Sequence, residues 1–158
     1  MELFYDLIFV AAAIQLGDAL SKEVAESHSA LVPMARFAGL YVPLWMAWSG
    51  FTFYANRYNV DDFTHRLLAF ANMFTVGAMA VSAPHVSGNA ASRLFSFAIA
   101  ANFVVLGLMN LRSWKLKEPF SKYAGSWAAM GFVGAGMWLI AGLVPTPYRY
   151  WVWAVSVV

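Results

Sequence analysis

Leu94-Phe95-Ser96-Phe97-Ala98-Ile99-Ala100-Ala101-Asn102-Phe103-Val104-Val105-Leu106-Gly107-Leu108-Met109-Asn110-Leu111 is a run of 18 residues without a charge. As a helix it would be about 27 Å long, close to the ~30 Å hydrocarbon core of a bilayer. Working outward, three more charge-free windows appear: Phe37–Ala55 with 19 residues, Leu67–Ser92 with 26, and Tyr123–Tyr148 with 26. Runs of about 18 or more apolar residues read as membrane spans. Composition agrees, with 61% hydrophobic and 11% charged residues and a mean hydropathy of +0.62. A soluble domain carries about 25% charged residues.

These windows predict an all-α fold, a polytopic transmembrane helix bundle. Five complete spans are expected, at Glu2–Leu20, Leu31–Ala55, Arg66–Pro84, Ala91–Arg112 and Tyr123–Val144. After Pro145-Thr146-Pro147 comes the start of a sixth, Tyr148 to Val158, which at 11 residues is too short to cross. Residues 1–158 therefore read as one transmembrane domain, a fragment of a longer multi-pass protein. Connections are short, so neighbouring helices should run antiparallel.

The first helix is the unusual one. Its charge-free stretch, Leu7 to Gly17, is only 11 residues, and Asp6 and Asp18 flank it. If this helix spans, at least one of these acids lies within or at the edge of the apolar layer, where ionisable groups are costly and face a bundle interior, a partner charge or water. On a helical wheel Glu2 and Asp6 fall about 40° apart, and Gln15 and Asp18 about 60° apart on nearly the opposite face. Polar groups on two faces suggest a helix inside the bundle. The plainer reading makes both acids interfacial side chains near helix ends.

Lysine and arginine placement gives an orientation. Arg57, Arg66, Arg112, Lys115, Lys117 and Lys122, six of the ten basic residues, fall on one side. Lys22, Arg36, Arg93 and Arg149 fall on the other. The Arg112–Lys122 cluster puts the amino terminus in the cytoplasm. Glu2, Asp6, Arg57 and Arg66 would then share the cytoplasmic side and could pair, while Asp18 would share the outer side with Arg36, His85 and Arg93. Arg57–Asp61 and Asp62–Arg66 also form local i,i+4 pairs, which are worth little when exposed.

Two motifs carry a family resemblance. Glu2-Leu3-Phe4-Tyr5-Asp6-Leu7-Ile8-Phe9-Val10, followed by Gln15-Leu16, is one. Tyr54-Ala55-Asn56-Arg57, Asp61-Asp62 and Arg66-Leu67-Leu68 make the other. In order and spacing the first 70 or so residues resemble the bacterial low-temperature-requirement A family. The resemblance implies an amino-terminal part of a longer multi-pass protein of the bacterial inner membrane. It implies no catalytic residue.

The third span groups Asn72, Thr75 and Ser82 on one face, and the fourth groups Ser92, Ser96, Gly107 and Asn110. Such stripes let helices approach and bond across an interface, or they line a polar path. Gly131-Phe132-Val133-Gly134-Ala135-Gly136 has no preceding strand and no lysine, which excludes a nucleotide loop. Gly125–Ala129 and Gly131–Ala135 are small-xxx-small pairs for helix packing. Asp61, Asp62 and His65 make a poor metal set. Cysteine is absent and the three histidines are dispersed. No enzyme, cofactor or metal is expected, and the scattered basic residues give no nucleic-acid face.

Two functions fit these observations. One is transport of a small solute or ion, with Glu2, Asp6, Gln15, Asp18, Asn56, Arg57, Asp61, Asp62, Arg66 and Asn72 as candidate intramembrane polar or coupling residues. The other is a non-transporting structural or stress-adaptation membrane protein whose charges hold the bundle together. In either case the bilayer is the partner, and oligomeric state is not legible.

Overall fold

A computed structural model describes residues 2–26, 29–58, 62–117 and 121–157, without the side chains of Glu2 and Val157. Six α-helices occupy them: α1 (Glu2–Glu26), α2 (Leu31–Arg57), α3 (Phe63–Ser82), α4 (Asn89–Lys115), α5 (Ala124–Leu143) and α6 (Tyr148–Val157). No strand occurs among the described residues. Helices are what the hydropathy demands, because in lipid each backbone N–H and C=O must be satisfied within its own segment.

Four helical stretches are long and apolar enough to cross a bilayer: Leu3–Glu26, Phe63–His85, Asn89–Lys115 and Ser121–Leu143. Helix α2 has 27 residues, ample length, but it is not among them; its Tyr, Trp, Pro, Ser, Thr and Gly residues lower its hydropathy. Helix α6, at 10 residues, is too short.

Beside an apolar core, several polar side chains are buried and many large apolar ones are exposed. In α3, Asn72 is fully buried and Thr75 nearly so, while Phe74 between them is 81% exposed. Ser92, Ser96, Asn102 and Ser113 of α4 are also buried. Leu3, Leu7, Phe70, Val81, Val133 and Leu143 point outward. In water such a surface would be a large apolar liability; against lipid it is the favourable arrangement.

Helix α4 is central, packing most closely on α5 and next on α3. The glycine stripe makes the α4–α5 approach possible. A Cβ at Gly131 would lie 3.2 Å from the Gly107 Cα and 3.2 Å from the Phe103 carbonyl oxygen, so the two backbones nearly touch there. The expected Gly131–Ala135 pair is buried in this contact.

Helix α1 departs from expectation. It extends to Glu26 and packs on α2 and α3 at the edge of the bundle. Leu3, Phe4, Leu7, Val10 and Ile14 form an exposed apolar stripe, so α1 has a lipid-facing side after all. The two polar faces do not conflict, because they act at different depths and meet different neighbours.

Candidate functional site: a polar seam joining α1 to α4

Tyr5 and Asp6 carry α1 into the bundle. The Tyr5 side chain is buried and its ring stacks on Phe51, with centroids 4.2 Å apart. Its hydroxyl donates to the Ala47 carbonyl of α2 at 3.0 Å. The same oxygen accepts from Asn72 Nδ2 of α3 at 3.2 Å. Asn72 Oδ1 in turn accepts from Asn102 Nδ2 of α4 at 2.5 Å. Asn102 Nδ2 also reaches Thr75 Oγ1 at 3.0 Å, and the Thr75 hydroxyl donates to the Asn72 carbonyl at 2.7 Å. Four helices are thus tied by one chain of donors running from α4 to α2. Asn72 and Asn102 lie near the midpoints of their helices. Burying an amide there without partners would cost several kcal/mol, roughly.

Asp6 borders this seam. Its Oδ1 accepts from the Trp48 indole N–H at 2.8 Å, and Trp48 stacks on Phe9 at 5.1 Å. A cavity of about 140 Å³ lies beside the carboxylate, lined by Asp6, Phe51, Thr52 and Asn56. The expected pairing of Asp6 with Arg57 or Arg66 is not what forms: the described partner of Asp6 is an indole. The reason is stagger. Tyr5 meets Phe51, so α2 continues six residues, or about 9 Å, beyond that level to Arg57. The side chain of Glu2 and all of Asp61 lie outside the described residues.

At the end of the bundle holding the α2–α3 connection, Asp62 caps α3, accepting from the His65 N–H at 2.8 Å. It also forms an ion pair with Arg112 of α4. The His65 amide, and then the Arg112 guanidinium, hold the Asp62 carboxyl below the usual range. A lowered carboxylate contributes stability above its unfolded-state pKa and loses it as the pH falls through the folded value. The side-chain partner described for Asp62 is thus Arg112 of another helix, where the sequence suggested the local Arg66. Arg57 and Arg66 are exposed nearby. Tyr54 and Ser113 share a 2.9 Å hydrogen bond at the same end.

At the opposite end, Gln15 and Asp18 line a cleft of about 640 Å³ together with Arg36 and His85. Arg36 forms an ion pair with Glu23 at 2.6 Å. Asp18, Arg36 and His85, expected on one side together with Arg93, thus line one cleft at this end of the bundle, and Arg93 is not among its lining residues.

Arg149 is buried as well. Its guanidinium donates to the Ala141 carbonyl at 3.0 Å, to the Asn89 carbonyl at 3.2 Å and side-chain oxygen at 3.0 Å, and to Ser92 Oγ at 2.5 Å. Trp153 Nε1 donates to Ser96 Oγ at 2.9 Å. These bonds seat α6 on α4.

The structure therefore divides the candidates: Asn72 joins the seam, Asp6 and Asn56 line the adjoining cavity, and Gln15 and Asp18 line the far cleft. Sequence reasoning missed Tyr5 and Asn102 as members of the seam, and Trp48 and Thr52 as the neighbours of Asp6. The available signal was an asparagine in mid-span, at Asn102, which must find a partner.

Comparison with known proteins follows the same lines. The chain is 29% identical over 161 residues to an uncharacterized protein, RA0937, of Rhizobium meliloti (strain 1021), an alignment covering 99% of this chain and 37% of the relative. The chain thus spans little more than a third of that relative's length. No solved structure matches. The family model for the bacterial low temperature requirement A protein matches residues 1–158, the whole length given. The chain belongs to the bacterial low temperature requirement A protein family.

Proposed function

We propose that this segment is part of an inner-membrane transporter for a small solute or ion, with Asp6 as its coupling or binding acid. In this reading α1 to α5 are complete spans, α6 begins a sixth, and the amino terminus is cytoplasmic. The observation that carries the reading is the setting of Asp6. It faces a cavity bordered by Thr52 and Asn56, and its described partner is the neutral indole of Trp48. A bound guanidinium would keep such a carboxylate permanently ionised and make it structural. A carboxylate at a polar-lined cavity, with no base bonded to it, has an oxygen free for a solute or ion that enters.

Uptake by proteoliposomes of the full-length protein, screened over amino acids, sugars and alkali cations under an imposed proton gradient and, separately, an imposed sodium gradient, tests this. Asp6→Asn is expected to insert and melt like the parent but lose at least tenfold in flux, or lose the pH dependence of flux. Lower stability without a solute-specific defect would make Asp6 structural, and equal stability with equal flux would remove it from both roles. The second reading, a non-transporting membrane protein, draws on the Tyr5–Asn72–Asn102 seam, which holds four helices together whether or not anything moves.

Orientation has its own test. Ser87, just before α4, and Lys115, at its far end, are both exposed, in a chain without cysteine. Cysteines placed there should label from opposite sides of the membrane, Ser87→Cys from outside. Labelling of both from outside intact cells would contradict the topology.

A further inference from the structure

We infer that the cavity beside Asp6 is a site for a hard monovalent cation of the sodium or lithium class. The inference rests on the transport reading above, whose coupling ion it names. The argument begins with which lone pairs face the space. Asp6 Oδ1 is committed to the Trp48 indole N–H, and no described bond occupies Oδ2. The Thr52 hydroxyl spends its proton on the Trp48 carbonyl at 3.0 Å, so its oxygen can only accept from, or ligate, what enters the cavity. Asn56 adds an amide whose carbonyl oxygen can turn inward.

Trp48 therefore orders both neighbours. Its N–H holds the carboxylate and its carbonyl takes the hydroxyl proton. What remains is an oxygen-only donor set with one formal negative charge. Oxygen ligands suit hard cations over soft ones. A single carboxylate matches a single positive charge, whereas calcium sites draw on several carboxylates. The volume of about 140 Å³ leaves room for an ion and several waters. Three protein oxygens and those waters complete an ordinary coordination shell, and the bound ion neutralises the charge of Asp6.

The test needs no knowledge of the solute. Full-length protein purified in choline chloride is melted with added sodium, lithium, potassium or choline at constant ionic strength. Sodium and lithium are expected to raise the melting temperature in a saturable way, with potassium weaker and choline inert. Thr52→Val keeps the shape and removes one ligand oxygen, and should weaken apparent sodium affinity at least tenfold. Asp6→Asn should abolish the response. Trp48→Phe removes the N–H that positions Asp6 and should weaken sodium affinity severalfold without removing a ligand.

An equal response to all four cations, or a sodium response retained in both Thr52→Val and Asp6→Asn, overturns the site. No sodium response, with proton-driven flux lost in Asp6→Asn, overturns the site and leaves the transport reading standing with the proton as coupling ion. A sodium response lost in both variants, with no flux for any tested solute, sustains the site and removes the transport reading.

Discussion

An Asn102→Ala variant is expected to lose about 2–4 kcal/mol of stability in detergent or bicelles. The amide of Asn102 serves Asn72 Oδ1 and Thr75 Oγ1 together. Its removal leaves buried polar atoms of α3 without a donor, at about 1–3 kcal/mol for each unsatisfied group. Side-chain bonds between membrane helices are individually worth about 0.6–2 kcal/mol, so the upper part of the range requires stranded acceptors. Asn72→Ala breaks the same seam one step earlier, and the pair should be non-additive because they share a bond. Reversible unfolding of both single variants and the double variant measures this. A loss below about 0.5 kcal/mol, or strict additivity, would show that the seam is not a cooperative unit.

The second large effect concerns Arg149, where removing the partners should cost more than removing the charge. Asn89 and Ser92 accept from its guanidinium through side-chain oxygens. Hydrogen bonds to charged groups are worth about 1.5–3 kcal/mol each. The double variant Asn89→Ala and Ser92→Ala is therefore expected to lose about 3–5 kcal/mol, because a buried cation is left short of acceptors. Arg149→Met also removes a charge that is expensive to bury, and apolar replacement of buried ionic groups is often close to neutral. Its expected loss is about 1–3 kcal/mol, from the neutral acceptors left behind. The melting temperatures should follow that order. If Arg149→Met is the more damaging of the two, the guanidinium is stabilised by something other than these acceptors.

How far the sequence led is visible helix by helix. The windows at Leu67–Ser92, Leu94–Leu111 and Tyr123–Tyr148 gave α3, α4 and α5, since hydropathy alone decides where backbone can cross lipid. The Gly131–Ala135 stripe gave the α5 contact, because only small residues allow two backbones to come so close. The fourth-span stripe was read from Ser92, Ser96, Gly107 and Asn110. Ser92 and Ser96 meet α6, and Gly107 meets α5. Asn102 lies about 80° away on the wheel, on the side that meets α3. A central helix has more than one interior face, and a single stripe cannot report them all.

The stagger of α1 against α2 was not legible either. Sequence put Asp6 near a helix end and so near Arg57. Packing of Tyr5 on Phe51 and of Asp6 on Trp48 sets the register instead. Hydropathy says nothing of which aromatic side chain will bond to which neighbour, so the roles of Tyr5 and Trp48 as hydrogen-bond donors to other helices appear only once the helices are packed.

The central claim is a membrane bundle whose polar side chains meet inside, with lipid on the outward face and water able to reach the space beside Asp6. Spin labels on single cysteines at Phe74 and Thr52, in full-length protein reconstituted in liposomes, test it in one experiment. Collision with oxygen reports lipid, and collision with a water-soluble nickel chelate reports water. The account predicts that the Phe74→Cys label, whose parent side chain is 81% exposed, collides with oxygen and not with nickel, whereas the Thr52→Cys label meets nickel the more readily of the two. A Phe74→Cys label open to nickel, or a Thr52→Cys label that meets oxygen alone, would contradict it.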